Sequence, residues 1–429
     1  MRMYAEPSMA TSTADWRGTA RARGRERSED NPLTAPGRYP LVPVIAFCLF
    51  MLLGVSLIML FSVEGAGGGG SEVLKQALFG GAGAIGLLLI WSVPYQRLTK
   101  WSVMMYLGMI AVLVIVLLFG VEIKGARRWL RVLPMFDVKV QPSEFARPTL
   151  ILILAWYFRR YRGLIHRFFN GILIPLGIAG VLCGLVLLER DFGQTAFLGC
   201  LCFGMMFIAG SRWIPMGSTL LVLGVVFLGL IMLDPVRRGR VEAFLQEHEQ
   251  GTVDAQISAA TNFQADQSVL AIQEGAILGR GLVNGYRKEG RFVPEATNDF
   301  IFSVIGEELG LVGTLGVVFL YGVLIVVGTV IAFRAPDATG MLIASGLTLN
   351  LGGQALLNLL VVTKLFVNKG LPLPFISQGG SNLMMHMVCM GILLNIYVQG
   401  QAKRRRRLAS PLPLRMQGEH DSLDRAIDF

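Results

Sequence analysis

Three carboxylates stand in one mostly apolar stretch of the sequence, "NDFIFSVIGEELG", which runs from residue 298 to residue 310. They belong to Asp299, Glu307 and Glu308. The stretch is typical of the start of a membrane-spanning helix, and ionisable groups inside a bilayer are costly and mark functional sites. The residue types therefore indicate either a catalytic acid–base group or buried structural pairs.

Asp299 is the candidate general base. At about 100° per residue, several residues of the stretch fall on one narrow helical stripe, which predicts a backbone-lined groove with a carboxylate at its mouth. The stripe consists of Asp299, Ser303, Gly306 and Gly310. The helix dipole stabilises an ionised Asp near an N-terminus, so burial would have to supply the strength of the base. The alternative is that Asp299 only helps to cap the helix, as Thr297 or Asn298 could also do.

Glu307 and Glu308 lie about 12 Å further along the same helix axis, and Glu308 points away from the stripe of Asp299. We expect both to be structural, paired or hydrogen-bonded to neighbouring helices. Glu144 and Arg147 are three residues apart, so they can pair on one helix face, and Pro142 suits the first helical position. This pattern predicts a structural ion pair that holds helices in register; the alternative is a contact with substrate.

The composition places these residues in a polytopic membrane protein. Of the 429 residues, 53% are hydrophobic and 16% are charged, and mean hydropathy is +0.57. Long apolar runs predict an all-α fold of ten membrane-spanning helices. The predicted spans are 41–63, 76–93, 101–120, 143–158, 171–188, 195–210, 216–233, 300–333, 340–362 and 383–398. The five cysteines lie in apolar runs, which argues against a disulfide framework and against a zinc site.

The organisation that follows is a membrane domain with two tails. Residues 1–40 are expected to be a disordered N-terminal tail, 41–400 the ten-helix domain, and 401–429 a basic C-terminal tail. An even number of spans puts both basic tails on one side, which the positive-inside rule makes cytoplasmic. The run at 403–407 is interpreted as a topology anchor beside anionic lipid rather than as a nucleic-acid site. The long loop 234–299 then lies outside.

Two outer loops are nevertheless basic. The cations are Lys124, Arg127, Arg128, Arg131 and Lys139 in the first loop, and Arg237, Arg238, Arg240, Arg280, Arg287, Lys288 and Arg291 in the second. Because Arg binds phosphate oxygens in a fork, an anionic substrate would explain them. Binding to anionic headgroups is the alternative. The turn at 279–282, "GRGL", adds a cation but is a weak signal by itself.

Polar segments converge on the predicted outer side. "ERDFGQT" places Asp191 there, and "KGLPLPFISQGGSN", residues 369–382, joins the ninth and tenth spans. Its prolines and glycines exclude a continuous helix, and broken backbone at membrane depth must be buried in protein or line a wet cavity. The sequence therefore predicts a polar cavity that opens outward. Its candidate lining residues are Lys369, Ser377, Gly379, Gly380 and Ser381.

Five segments in order resemble the signature segments of the SEDS family, which includes FtsW and RodA. They are "QPSEFAR", "ERDFGQTA", "PEATNDFIFSVIGEELGLVG", "NLGGQALLN" and "GLPLPFISQGGSN". The resemblance covers 41–400 and implies a ten-helix peptidoglycan glycosyltransferase that polymerises lipid II, closer to the division member than to the elongation member. It implies that Asp299 matches the catalytic Asp and that Glu144 and Arg147 match an acid–base pair, where Lys usually holds the second place. Gln378 and Asn382 depart from the family's Tyr and Ser.

The resemblance also implies a mechanism and partners. Asp299 would take a proton from the acceptor sugar, and Arg127, Arg128, Arg291 and Lys369 would stabilise the leaving diphosphate. A divalent metal at Asp299 is a competing role. The implied setting is the bacterial cytoplasmic membrane with an outward-facing site, a class B penicillin-binding transpeptidase and other divisome membrane proteins. A lipid II flippase and a recruiting scaffold are the alternatives from other classes.

Overall fold

The computed structural model describes residues 39–64, 71–123, 126–133, 138–233, 238–239, 263–283, 297–366 and 371–409. Its helices are α1 (Leu41–Glu64), α2 (Ser71–Ser92), α3 (Tyr95–Phe119), α4 (Ser143–Arg160), α5 (Ile174–Leu188), α6 (Phe192–Ala209), α7 (Trp213–Met232), α8 (Phe263–Gly275), α9 (Ile301–Phe333), α10 (Ala338–Val362) and α11 (Gly380–Ala409). A π-helical turn, Phe169–Leu173, leads into α5.

Within the described residues, nine helices are long and apolar enough to cross a membrane. They coincide with nine of the ten predicted spans. The remaining one is α4, which forms as a helix but carries Glu144, Arg147, Arg159 and Arg160. Its middle is nonetheless buried against other helices, because α4 packs on α3, α6 and α10. Hydrophobic length alone therefore misses a helix whose polar groups are satisfied inside the protein.

The predicted all-α fold class is confirmed, and one small sheet accompanies the helices within the described residues. The strands β1 (Val121–Ile123), β2 (Ala126–Leu133) and β3 (Val138–Val140) form an antiparallel sheet in the order β1-β2-β3. Opposite charges face each other where Glu122 pairs with Arg127, whereas Arg131 faces Lys139. The described part of the first basic loop thus forms a small sheet between α3 and α4.

Helix α9 is broken at Gly310. This residue has φ 66° and ψ −160°, a conformation that only glycine adopts readily. The amides of Arg280 and Gly281 donate to the carbonyls of Glu307 and Glu308, both at 3.0 Å. On the other side of the break, the amide of Leu311 donates to Ala276 O at 3.0 Å and that of Val312 to Ile277 O at 3.3 Å. Residues 276–281, called the splint below, thus replace the lost hydrogen bonds of the helix.

The splint follows α8, which packs along the first half of α9. Gly275 lies so close to Gly306 O that a side chain there would collide with it. Ser268 donates to Val362 O at 3.0 Å and joins α8 to the end of α10. Part of the long 234–299 loop is therefore a packed layer against α9 and α10.

The helices differ in how much protein surrounds them. In α11 most of the apolar window is buried, whereas in α7 none of it is. Residues Pro40–Gly400 form one compact unit by contacts. The apolar outer face of α7 therefore suits lipid, and the buried polar residues of α4, α10 and α11 occupy the interior.

Candidate active site at the start of helix α9

Asp299 lies in the turn 297–300 that leads into α9, and its side chain is half-buried. The N-cap is Phe300, whose side chain makes no hydrogen bond to the first turn of the helix. The N-cap position itself is therefore not occupied by Thr297, Asn298 or Asp299. The carboxylate of Asp299 stands just outside the helix, where its ionised form still benefits from the positive end of the dipole.

Three donors hold the main chain of this turn. The side-chain nitrogen of Asn358 donates to Asp299 O at 2.8 Å, the hydroxyl of Ser377 to Asn298 O at 2.6 Å, and the amide of Gln378 to Thr297 O at 2.9 Å. We call these donors (Asn358, Ser377 and Gln378) the clasp. It ties the Asp299 turn to α10 and to the broken loop 371–379.

The predicted groove below Asp299 is filled by protein. A side chain on Gly306 would meet Ile272 of α8, and one on Gly310 would meet Gly279 and Ile277. The glycines of the stripe therefore serve close packing of α8 and the splint, not access of substrate. Ser303 is also buried, and its hydroxyl donates to Phe300 O at 2.6 Å. The expectation of an open groove along this face was wrong because the 234–299 loop folds back onto it.

The broken loop between α10 and α11 is buried and carries a strained residue. Phe375 adopts φ 67°, a left-handed conformation that is rare for a bulky residue, and it is 1% exposed. The hydroxyl of Ser377 accepts from Leu373 N at 2.7 Å while it donates to Asn298 O. The hydroxyl of Ser381 accepts from Gln141 N at 2.9 Å. Both serines are buried and bind backbone atoms, and their assignment as substrate contacts stays a prediction.

The loop is also anchored on α1 and α2. Ser56 donates to Ile376 O at 2.7 Å, and the side-chain nitrogen of Gln76 donates to Ser377 O at 3.2 Å. The side chain of Gln378 contacts Glu72. Gly379 and Gly380 remain half-exposed, and the ring of Phe79 lies where a side chain of Gly380 would stand.

The predicted pairing of Glu144 with Arg147 is confirmed, and the pair is buried. Arg147 also contacts Gln354 of α10 and lies 5.4 Å from the ring centre of Phe197. Glu144 accepts from Gln194 Nε2 at 3.1 Å and from Asn382 Nδ2 at 2.7 Å. The pair thus joins α4 to α6, α10 and α11, which agrees with a role in holding helices in register.

The candidate cations behave differently from one another. Arg127 is exposed and lies 3.3 Å from Glu122. Arg128 is half-buried and pairs with Asp191 at 3.1 Å. Arg291 and Lys369 lie outside the described residues. Asp191, another candidate, also accepts from Gln194 N at 3.1 Å and so begins α6 as its N-cap.

Glu189 is a buried acid that the sequence analysis did not single out. It follows the last residue of α5 and is 1% exposed. Neither carboxylate oxygen has a hydrogen-bond partner within the part of the chain that is described. Burial, with a smaller contribution from Asp191, raises the pKa of Glu189 to about 8, although Arg128 lowers it. The only sequence signal was its place two residues before Asp191.

The two acids of the first half of α9 are buried, as expected for structural groups. Both carboxylate oxygens of Glu308 lie close to the hydroxyl of Ser62 in α1, at 2.8 and 2.6 Å. The same hydroxyl accepts from Val283 N at 2.9 Å. The structural interpretation of Glu308 is confirmed by this link between α1, α9 and the loop.

Nothing in the described residues forms a cluster of three or more His, Cys, Asp or Glu that could hold a metal ion. Asn358 and Gln76 are further buried polar residues that the sequence pattern does not connect to the site. Asn358 belongs to the segment "NLGGQALLN", so a buried Asn at the end of an apolar helix was the available signal.

Comparisons with known proteins agree with this geometry. A family model for FtsW, RodA and SpoVE, described as "Cell cycle protein", matches residues 41–402. A "Probable peptidoglycan glycosyltransferase FtsW" of Trichlorobacter lovleyi is 33% identical and covers 83% of this chain and 91% of the relative. A protein of the same description from Marinobacter nauticus is 34% identical, with 86% and 91% covered.

A solved structure extends the likeness to three dimensions. It comes from work on the coordination of polymerization and crosslinking by a peptidoglycan synthase complex. The similar chain in that complex has a TM-score of 0.66 and 25% identity, and the match covers 83% of this chain and 97% of that one.

Proposed function

The chain belongs to the FtsW/RodA/SpoVE family of cell cycle proteins, and from this premise we propose that it is a peptidoglycan glycosyltransferase. It polymerises lipid II into glycan strands for the septal cell wall. The observation that carries the proposal is the Asp299 turn: a half-buried carboxylate outside the helix, on a main chain held by the clasp. A base must be held within hydrogen-bonding reach of the proton that it removes.

In the proposed reaction, Asp299 takes the proton of the 4-hydroxyl of the acceptor sugar. The oxygen attacks the anomeric carbon of the lipid-linked strand, and the bond from that carbon to the diphosphate breaks. The diphosphate leaves with the bonding electrons, and the anomeric configuration inverts. The helix N-terminus beside Asp299 favours negative charge at this place.

The leaving group is an anionic lipid diphosphate, which needs positive charge nearby. Arg127 is our candidate from the sheet because its described ion pair, with Glu122, is exposed and therefore weak. Arg128 forms an ion pair with Asp191. We therefore assign Arg128 mainly a structural role in the sheet. Arg291 and Lys369 remain candidates from the sequence.

We place this site on the extracytoplasmic face of the cytoplasmic membrane. The supporting observations are the basic tails at both ends and the even number of long helices when α4 is included. The similar complex both polymerises and crosslinks, which supports a penicillin-binding transpeptidase as the partner. Further divisome membrane proteins would join the same assembly.

The test is polymerisation of purified lipid II by the chain together with its transpeptidase partner. Asp299→Asn and Asp299→Ala should lower the yield of glycan polymer by at least about 100-fold, since removal of a positioned base costs 10²–10⁴-fold. The matched control is Asp337→Asn, at the N-cap of α10 and about 30 Å along its axis from Asn358.

The control should polymerise at nearly the normal rate. Polymer formation by Asp299→Asn at the wild-type rate would rule out Asp299 as the base. Loss of activity in the control as well would show that the assay reports folding and not chemistry.

A further inference from the structure

The amide group of Asn358 joins two separate pieces of backbone. Its nitrogen donates to Asp299 O and to Leu371 O, both at 2.8 Å. Asp299 precedes α9 and Leu371 begins the described part of the broken loop. Both hydrogens of one amide are therefore used, and the two segments are fixed to the last turn and a half of α10.

Retaining this side chain has a cost in stability. Asn358 is 1% exposed, and its oxygen has no hydrogen-bond partner among the described residues. A buried polar atom without a partner is destabilising, so an apolar residue would suit the helix better by itself. The two donated hydrogen bonds are what the amide supplies in return, and both serve the Asp299 turn or its neighbour loop.

The rest of the clasp acts on the same turn. Ser377 and Gln378 bind the carbonyls of Asn298 and Thr297, so three successive carbonyls before α9 accept from outside the turn. Helix geometry does not fix Asp299, because the helix begins only after Phe300. Loss of these three hydrogen bonds would let the backbone of the turn shift and would move the carboxylate relative to the bound sugar.

We propose that Asn358 is a positioning residue that sets the place of the Asp299 carboxylate, with Ser377 as its weaker counterpart. The inference rests on the proposed function of Asp299. A displacement of about 1 Å at a reacting group lowers turnover roughly 100-fold while substrate binding is retained. Asn358 therefore governs kcat without touching the sugar or the diphosphate.

The experiment compares variants of the full chain, purified with its partner, in a steady-state assay with lipid II. Asn358→Ala and Asn358→Asp remove the donor pair, and the second keeps the shape of the side chain. Ser377→Ala removes one donor. Asn350→Ala is the matched control, because Asn350 is an equally buried Asn of α10 whose only described contact is Met385 Sδ at 3.9 Å.

We expect kcat to fall about 100-fold in both Asn358 variants and about 10-fold in Ser377→Ala, with KM within threefold of wild type. Asn350→Ala should keep kcat within twofold, because its described hydrogen bond reaches neither the Asp299 turn nor the broken loop. If Asn358→Ala does not give a monodisperse protein, Asn358→Asp decides the question.

The inference is overturned if kcat of Asn358→Asp stays within twofold of wild type, if only KM changes, or if Asn350→Ala loses as much turnover. These results are separable from failure of the proposed function. An inactive Asp299→Asn beside an active Asn358→Asp removes the positioning role alone, whereas an active Asp299→Asn removes the base.

Discussion

The two irregular points of α9 are stabilised in different ways. Before the helix, the Asp299 turn is held mainly by side chains of the clasp. At Gly310, eleven residues after Asp299, the lost hydrogen bonds of the helix are replaced by backbone groups of the splint. Side-chain donors can be removed singly with little change in shape, whereas backbone repair depends on glycines that allow close approach. The comparison suggests that the clasp serves turnover and the splint serves folding.

The largest expected effect is at the splint. Gly310→Ala should destabilise the protein by about 3 kcal/mol, because the residue occupies a conformation open only to glycine. Its new side chain would also meet Gly279 and Ile277. The measurement is the thermal unfolding and the yield of monodisperse protein in detergent.

Gly316→Ala is the control for this change, since nothing lies near the place of its side chain on the same helix. It should leave stability unchanged or raise it slightly. If Gly310→Ala were as stable as this control, the splint would not be essential and the comparison would break.

A smaller loss is expected where the splint region is tied to α1. Ser62→Ala removes the donor to buried Glu308 and the acceptor of Val283 N. Loss of a hydrogen bond to a buried carboxylate should cost about 2 kcal/mol, measured as a lower melting temperature. Ser92→Ala, which removes only an exposed hydroxyl, is the control. Because the hydrogen bonds of the clasp to the Asp299 turn remain, turnover per folded molecule should stay near normal. A selective loss of kcat would contradict the assignment of turnover to the clasp and of folding to the splint.

The smallest effect concerns Glu189, a buried acid that belongs neither to the clasp nor to the splint. The pKa of Glu189 is raised to about 8, whereas the unfolded chain ionises near 4.5. Its contribution to stability is therefore full below about pH 4.5 and is lost as pH rises toward 8. Glu189→Gln cannot ionise, so its melting temperature should exceed that of wild type by a few degrees at pH 8 and match it near pH 5. Equal curves at both pH values would contradict the burial of an unpaired carboxyl.

Much of the fold could be predicted from hydrophobic length, because each apolar run of sufficient length has few alternatives to a helix. The sheet at 121–140 was missed, since its strands are short and rich in cations rather than alternating in polarity. The sequence pointed to Asp299 because a carboxylate at the start of an apolar helix is unusual. It predicted the pairing of Glu144 with Arg147 because residues three apart lie on one helix face.

The remainder depends on contacts between distant segments. Nothing near Asn358 in the sequence shows that its amide reaches Asp299, 59 residues away. The turn "GRGL", a weak signal by itself, contributes its first three residues to the splint. Its role can be understood only once the break of α9 at Gly310 is known. A polar loop between two helices also does not show which hydroxyls bind backbone, as those of Ser377 and Ser381 do.

The central claim is that the residue at position 299 meets water on the outer side of the membrane. The direct measurement replaces the five native cysteines with alanine, introduces Asp299→Cys, and treats intact spheroplasts with a membrane-impermeant thiol reagent. We expect labelling before permeabilisation. Labelling only after the membrane has been opened would place residue 299 on the cytoplasmic side and would contradict an outward-facing site.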